Sequence, residues 1–201
     1  MQAGTAVLTV LFVVSPGLAG RVGWWIESWL SPRLYRRSRY VAVSTATRDE
    51  LVALGVDADR ISIVHNGTDP TPVTHARRSV HPSMCVVGRL VPHKQVEHAI
   101  DALAELTEMP ELQLTVVGDG WWEDELRAYA VRRGVADRVV FTGFVDERTK
   151  HEIYASSWLM ALPSLKEGWG LVVGEAGSHA TPTVAYRSAG GTQESVDHGE
   201  S

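Results

Sequence analysis

Cysteine is nearly absent from this sequence, since Cys85 is the only one in 201 residues. A single cysteine cannot form an internal disulfide, and it excludes a zinc site built from several thiolates. The eight histidines show no HxxxH spacing, which would place two metal ligands on one face of a helix. We therefore predict no metal site, and we expect a reducing, cytoplasmic setting.

Several motifs of nucleotide-binding and hydrolytic enzymes are also missing. The chain has no Walker A sequence and no GxSxG, and Gly118-Asp119-Gly120 lacks the third glycine of the dinucleotide fingerprint. A dinucleotide-dependent oxidoreductase is an alternative suggested by the strand and helix pattern, but the absent glycine counts against it. The formal net charge of −5 does not indicate a nucleic-acid partner.

Long apolar runs are scarce. The run at 6–14 is interrupted by Ser15-Pro16-Gly17, well short of the ~20 residues that a membrane-spanning helix needs. Its β-branched residues favour a buried strand, with a targeting or membrane segment as the alternative. The tryptophan-rich stripe at 24–34 favours packing in a core, with an interfacial membrane helix as the alternative.

What the sequence does contain is an alternation of strand-like and helical patterns. The predicted strands are 40–44, 60–64, 84–87, 112–117, 138–141, 159–162 and 183–185. The predicted helices are 45–54, 95–106, 123–133, 147–155 and 171–179. Strands separated by helix-length segments predict an α/β fold, with a parallel sheet and helices on both faces.

A segment without periodicity interrupts this alternation. Residues 71–82 are rich in proline, threonine and basic residues, which is typical of an interdomain linker. We therefore predict one domain over 1–70 and a second over 83–201.

Two cations follow the strand at 84–87. Ligands of such sheets bind at the carboxyl ends of strands, and the start of a helix favours anions. Arg89 can hold a phosphate bidentately, and Lys94 adds a point charge. This placement favours an anion site over the alternative of two solvated surface cations.

Two carboxylates, Glu167 and Glu175, lie eight residues apart. If the segment is helical they are about two turns apart, with the first in the preceding loop. A carboxylate can accept hydrogen bonds from paired sugar hydroxyls. The alternative is a helix-start charge and a solvent-facing residue, and the spacing alone favours that alternative.

The ordered set of motifs from residue 40 to the end is more specific than any one of them. It comprises VSTATRDEL at 43–51, VHNGTD at 64–69, GRL at 88–90 with Lys94, VGDG at 117–120, FTGFV at 141–145, PS at 163–164 with 167–175, and GG at 190–191 with ES at 194–195. This set resembles the family 4 retaining glycosyltransferases of the GT-B fold.

The resemblance implies roles for the charged residues. Arg89 and Lys94 would bind the donor diphosphate and stabilise it as it leaves, and Glu167 would hold hydroxyls of the donor sugar, so these three are the implied catalytic residues. Glu175 would bind the ribose hydroxyls. The other implied donor-binding residues are Gly88, Gly118, Asp119, Phe144, Val145, Gly168, Trp169, Gly170 and Leu171, with Phe144 and Val145 beside the base.

The implied function is that of a retaining hexosyltransferase with a Rossmann-like, GT-B parallel sheet. It would transfer a sugar from a nucleotide-diphospho-sugar to a sugar, lipid or other acceptor, in glycan or glycolipid biosynthesis. No metal cofactor is expected, because Arg89 and Lys94 take its place. We expect a cytoplasmic protein with peripheral contact at the inner face of the membrane. The alternative is a non-catalytic nucleotide-sugar-binding fragment.

The chain departs from the family pattern in three respects. Gln95 stands where the family has glycine, and the run GSHA at 177–180 replaces small residues that end in glycine. By this resemblance, residues 1–70 would correspond to the last part of the acceptor-side domain only, and the end of the second domain would be missing too. We therefore expect a truncated N-terminal half.

Overall fold

The computed structural model describes Trp29, 34–35, 37–68 and 74–196. It divides into two units, Met1–Asn66 and Gly67–Ser201. The strand predicted at 6–14 lies outside the described residues, as does most of the stripe at 24–34.

The described part of the first unit is a small β-α-β arrangement. Strands β1 (Tyr40–Ala42) and β2 (Ile61–Ile63) pair in parallel, and helix α1 (Thr45–Ala53) connects them. Helix α1 begins after Ser44, whose side chain accepts a hydrogen bond from the backbone N–H of Thr47 and so caps a free donor.

The second unit contains five parallel strands: β3 (Ser83–Val87), β4 (Gln113–Val117), β5 (Val139–Gly143), β6 (Leu159–Leu162) and β7 (Thr183–Ala185). Their order in the sheet is β5-β4-β3-β6-β7. The chain therefore extends the sheet in one direction from β3 to β5 and in the other from β6 to β7. In open α/β sheets, the carboxyl ends of strands at such a reversal form a crevice for ligands.

Helices cover both faces of this sheet. They are α2 (Val96–Glu105), α3 (Glu123–Arg132), α4 (Glu147–Ser156), α5 (Leu171–Gly177) and the short α6 (Thr192–Ser195). Met84 and Val86 of β3 belong to the core beneath α2 and α3, whereas Cys85 and Val87 belong to the core beneath α4 and α5. Side chains alternate between the faces of a strand, so the uninterrupted apolar run of β3 serves both cores.

The predicted fold class is confirmed, since the described sheet is parallel with helices on both faces. Each helix and strand predicted between 40 and 185 is present, with ends that differ by no more than two residues. Helix α5, for example, ends at Gly177 rather than at the predicted His179.

Candidate functional site

The loops that follow β3, β4 and β5 are held together by their backbones. Leu90 N–H donates to Asp119 O at 2.7 Å, and Gly118 N–H donates to Gly143 O at 2.9 Å. A Cβ atom at Gly118 would overlap the carbonyl group of Gly88, so no other residue fits at 118 without a shift of backbone. This close packing explains why glycine is required at 118. The three loops together form one continuous edge, called the rim below, along the ends of β3, β4 and β5.

An open cleft of about 230 Å³ lies along this rim. Its lining residues are Val87, Gly88, Arg89, Val117, Gly118, Asp119, Phe144, Val145, Glu147 and Lys150. Six of them are among the residues predicted from the sequence, and the structure brings those six together from three separate loops. Phe144 is 80% exposed, so its ring presents a free apolar surface at the rim.

A smaller cavity lies at the reversal of strand order, between the ends of β3 and β6. Gly88, Arg89 and Lys94 line it from one side, and Pro163 and Ser164 line it from the other. The Ser164 side chain is buried, and its Oγ has no hydrogen-bond partner among the described residues. A buried hydroxyl without a partner is costly, and a water molecule or a polar ligand at this cavity would satisfy it.

Lys94 and Glu167 form a largely buried ion pair at this cavity. Lys94 Nζ lies 2.5 Å from Glu167 Oε1, and the two side chains are 19% and 12% exposed. The backbone of Glu167 is fixed by hydrogen bonds to the loop that contains Gly190: its N–H donates to Ala189 O, and its C=O accepts from Gly191 N–H, each at 2.9 Å. The carboxylate and the cation therefore meet in a defined position.

Arg89 differs from Lys94 in its surroundings. Its side chain is exposed, and it forms no hydrogen bond or ion pair with the part of the chain that the structure describes. His93 lies in the same loop, and burial, followed by the charge of Lys94, lowers its pKa. Near neutral pH the loop therefore carries one cation paired with Glu167 and one that is available to a ligand.

Glu175 lies on α5 and is held by two side chains of α4. Lys150 Nζ donates to its Oε1 at 3.0 Å, and the Tyr154 hydroxyl donates to its Oε2 at 2.8 Å. Lys150 also contacts Glu147 Oε2 at 2.9 Å. Burial lowers the pKa of Lys150, but its hydrogen bonds to both carboxylates raise the pKa more, so Lys150 stays protonated.

The remaining predicted residues, Gly168 to Leu171, connect the two carboxylates. Gly168 and Leu171 are exposed, and Gly170 adopts a positive φ of 83° immediately before α5. None of the four lines either of the two cavities described above.

Four residues of the site were not singled out from the sequence: Glu147, Lys150, Tyr154 and Ser164. The first three stand at positions i, i+3 and i+7 of α4, a spacing that places them on one face of a helix. That periodicity, on a helix that follows a strand end, is a signal that could have identified them. Ser164 follows β6 at two residues from its end, where ligand contacts are expected.

Among the residues that the structure describes, no three His, Cys, Asp or Glu side chains are grouped so that they could hold a metal ion. No helix there combines the length and the hydrophobicity needed to cross a membrane.

Comparison of the sequence with models of known protein families identifies the family of this chain. Residues 73–201, more than half of the chain, match the family model of glycosyl transferases group 1. The chain belongs to this family. Residues 9–71 match a second model, described as Glycosyltransferase Family 4.

Two curated relatives illustrate the range of this glycosyl transferase family. The chain is 28% identical over 179 residues to an uncharacterized glycosyltransferase, MJ1607, of Methanocaldococcus jannaschii, covering 82% of this chain and 46% of the relative. It is 33% identical over 179 residues to the GDP-mannose-dependent alpha-(1-6)-phosphatidylinositol monomannoside mannosyltransferase of Mycobacterium tuberculosis, covering 82% and 44%. The chain thus spans about half the length of these relatives.

A solved structure shares the fold of this glycosyl transferase chain. Anabaena Alr3699/HepE, crystallised in complex with UDP and glucose, superposes with a TM-score of 0.75 at 27% identity. The match covers 86% of this chain and 51% of the Anabaena protein. The expected GT-B architecture is therefore confirmed at the level of fold.

Proposed function

We propose that this glycosyl transferase is a retaining, family 4 hexosyltransferase that takes its sugar from a nucleoside diphosphate-sugar. The acceptor is a sugar, a lipid or another hydroxyl compound, in glycan or glycolipid biosynthesis. The observation that carries the proposal is the convergence of Arg89 and Lys94 with the unpartnered Ser164 in one cavity at the reversal of strand order. The two cations and the hydroxyl offer charge and hydrogen-bond donors that suit a phosphate group, which accepts several hydrogen bonds and carries negative charge.

In this proposal Arg89 and Lys94 bind the donor diphosphate. When the bond between the sugar and the diphosphate breaks, negative charge accumulates on the departing phosphate oxygen. Cations that are already in position stabilise that charge more than they stabilise the intact donor, and this lowers the barrier. The two cations would replace a metal ion in this role. Retention would follow from attack of the acceptor on the face that the diphosphate leaves.

Glu167 and Glu175 are proposed to bind the two sugars of the donor. Glu167 would accept hydrogen bonds from the transferred sugar, with backbone groups of 168–171 nearby, and Glu175 would accept them from the ribose. Both carboxylates remain partly accessible, at 12% and 22% exposure. The apolar surface of Phe144 and Val145 would contact the base, since aromatic rings stack well on nucleobases.

The base of the donor is left open in this proposal. The mycobacterial relative uses GDP-mannose by its name, and the Anabaena protein was crystallised with UDP-glucose. The shared chemistry is a nucleoside diphosphate joined to a hexose, and that is the donor class we propose. We also propose the cytoplasm as the site of action, with peripheral membrane contact if the acceptor is a lipid.

Titration calorimetry with UDP, GDP, ADP, CDP and dTDP tests the donor site. We expect at least one of them to bind, and the double variant Arg89→Ala plus Lys94→Ala to weaken it by about tenfold to a hundredfold, as expected for charged hydrogen bonds. Arg132→Ala plus Arg133→Ala removes the same charge at the C-terminal end of α3 and should leave binding unchanged. Unaltered affinity in the Arg89 and Lys94 double variant would refute the phosphate assignment.

A nucleotide-sugar-binding module without turnover is the second candidate. It is favoured by one observation: all the proposed contacts lie on the donor side, within 67–201. An assay of donor hydrolysis and of transfer to added acceptors, with the nucleotide-sugar that binds best, separates the two. Release of free nucleoside diphosphate supports the enzyme, whereas binding without release supports the module.

A further inference from the structure

Both carboxylate oxygens of Glu175 are occupied by donors from a single helix, α4. The Tyr154 hydroxyl donates to Oε2 at 2.8 Å, and Lys150 Nζ donates to Oε1 at 3.0 Å. Tyr154 has no exposed surface, whereas the Glu175 side chain is 22% exposed. A buried hydroxyl therefore holds the inner side of a carboxylate whose outer side reaches solvent.

Tyr154 is itself held firmly. Its ring stacks on His179 with centroids 6.4 Å apart and meets the edge of His151 at 6.0 Å. Its backbone carbonyl accepts a hydrogen bond from the Thr181 hydroxyl at 2.6 Å. Tyr154 is thus held by its own helix and by the loop that follows α5, so its hydroxyl cannot follow the carboxylate if that side chain rotates.

The remaining capacity of Glu175 matches a particular ligand. An ionised carboxylate offers about four lone-pair positions, and Tyr154 and Lys150 use two of them. The two lone-pair positions that remain lie one on each oxygen of the carboxylate, so they suit two neighbouring hydroxyl groups. A free glutamate side chain would lose rotational freedom on binding such a diol, and a side chain that is already fixed avoids that cost.

We propose that Tyr154 is a positioning residue that orients Glu175 to receive the vicinal 2′- and 3′-hydroxyls of a ribose, with Lys150 fixing the second oxygen. This inference rests on the proposed function, in which Glu175 faces the donor ribose. It assigns recognition of the diol to a residue that never touches the ligand. The pKa of Tyr154 is raised by burial and by the charge of Glu175, so its hydroxyl remains a donor at all working pH values.

The test compares ribose with deoxyribose. The dissociation constants of UDP, 2′-deoxy-UDP and 3′-deoxy-UDP, and of the corresponding GDP series, are measured by calorimetry for the wild-type chain and Tyr154→Phe. In the series that binds more tightly, we expect the wild type to disfavour the deoxy compounds by about tenfold, the effect of one hydrogen bond to a charged group. In Tyr154→Phe this ratio should fall below about threefold.

Tyr129→Phe is the matched control. The Tyr129 hydroxyl donates to a carboxylate oxygen of Asp101 at 2.8 Å, on the α2–α3 side of the sheet. Its loss removes the same kind of hydrogen bond, and the deoxy ratio should remain that of the wild type. A purely structural role for Tyr154 predicts a lower melting temperature in Tyr154→Phe with an unchanged deoxy ratio, and that result would overturn the inference.

Failure of the proposed function gives a different result. If the wild type binds nucleoside diphosphates but does not distinguish ribose from deoxyribose, Glu175 does not bind the ribose, and the inference falls with that assignment. If Tyr154→Phe does not fold, Lys150→Met removes the other contact from a side chain that packs less deeply. An undiminished deoxy ratio in Lys150→Met would then count against positioning of Glu175 by α4.

Discussion

Lys94 Nζ and Glu167 Oε1 lie 2.5 Å apart, although the two residues are separated by 73 positions in the chain. The same lysine is proposed to bind the donor diphosphate, and the same carboxylate is proposed to bind the donor sugar. Without a ligand, each therefore neutralises the other. A nucleoside diphosphate that carries no sugar must compete with Glu167 for Lys94, whereas an intact donor can also engage the carboxylate through its hydroxyls.

This pairing predicts that Glu167→Gln binds free nucleoside diphosphate more tightly than the wild type. Removal of the competing negative charge should raise the affinity for UDP or GDP by about fivefold, which corresponds to ~1 kcal/mol. The same variant should bind UDP-glucose or GDP-mannose more weakly relative to the free diphosphate. Titration of each pair checks this, with Glu152→Gln on the exposed side of α4 as the control. Weaker binding of the free diphosphate by Glu167→Gln would argue against competition.

Ser164→Ala should separate stability from ligand affinity. Because the buried Ser164 hydroxyl has no partner among the described residues, its removal should leave the free energy of unfolding unchanged or raise it by up to about 1 kcal/mol. If the hydroxyl contacts the diphosphate, affinity for that ligand should fall by about threefold to tenfold.

The control for Ser164 is Thr183→Val. Thr183 on β7 is the other buried hydroxyl residue with an unpartnered oxygen among the described residues, and it lines neither cavity. Denaturant unfolding should show a similar effect on stability, and titration should show no effect on affinity. Equal loss of affinity in both variants would indicate a general change of the fold.

Two of the departures from the family pattern, at Gln95 and Ala180, predict stabilising substitutions. Gln95 and Ala180 are the non-glycine residues with positive φ in the described chain, at 47° and 54°. Side chains with a Cβ are strained in this region, so Gln95→Gly and Ala180→Gly should each raise the free energy of unfolding by about 1 kcal/mol. Urea unfolding measures the change.

Ala128→Gly is the control for these two substitutions, because glycine is expected to destabilise the protein at that position. Ala128 is exposed in the middle of α3, where the backbone is right-handed. Glycine there should lower the free energy of unfolding by about 1 kcal/mol. If Gln95→Gly and Ala180→Gly behave like Ala128→Gly, the left-handed conformation at 95 and 180 carries no strain.

The free energy of unfolding should decrease as the pH is lowered, because of His179. Burial, then the nearby His151 and Arg78, lowers the pKa of His179 from its ordinary value of 6.5. His151 Nδ1 lies 2.6 Å from His179 Nε2, so the two rings are in direct contact. Below about pH 6.5 the unfolded chain binds a proton that the folded chain resists, and stability is lost until the pH passes the lowered folded-state pKa.

Unfolding free energies of the wild type and His179→Gln at pH 8, 6.5 and 5.5 test this effect. The loss between pH 8 and 5.5 should be smaller in the variant, while the difference at pH 8 reports only the changed packing. Part of the loss should remain, since His93 also has a lowered pKa. Parallel curves for the two proteins would exclude His179 as a source of the pH dependence.

Particular residues show which parts of the structure could be predicted from the sequence. The strand at 84–87 is a short run of apolar residues closed by Gly88, so both its existence and the position of Arg89 beyond its end follow from local pattern. Gln95 and Ala180 stood out as departures, but only the backbone shows that both positions require a left-handed conformation. The glycines at 118 and 120 were ambiguous, and the packing of the loops against each other accounts for them.

The contacts within the site could not be predicted in this way. Glu175 falls within the helix predicted at 171–179, but its contact with Tyr154 joins α4 to α5 across 21 positions. Helical periodicity places Lys150 and Tyr154 on one face of α4 without indicating which element that face meets. Likewise, nothing in the local pattern around Ser164 indicates that its hydroxyl has no partner.

Local sequence patterns were sufficient to predict the α/β alternation, the parallel sheet and the charged loops at the strand ends. These depend on periodicity and on residues close together in the chain. Only the folded chain shows that β6 lies beside β3, that Lys94 contacts Glu167, and that Ser164 lines the same cavity as Arg89. The physical reason is that strand order depends on which apolar faces pack best after the chain has collapsed, a long-range choice that no local pattern encodes.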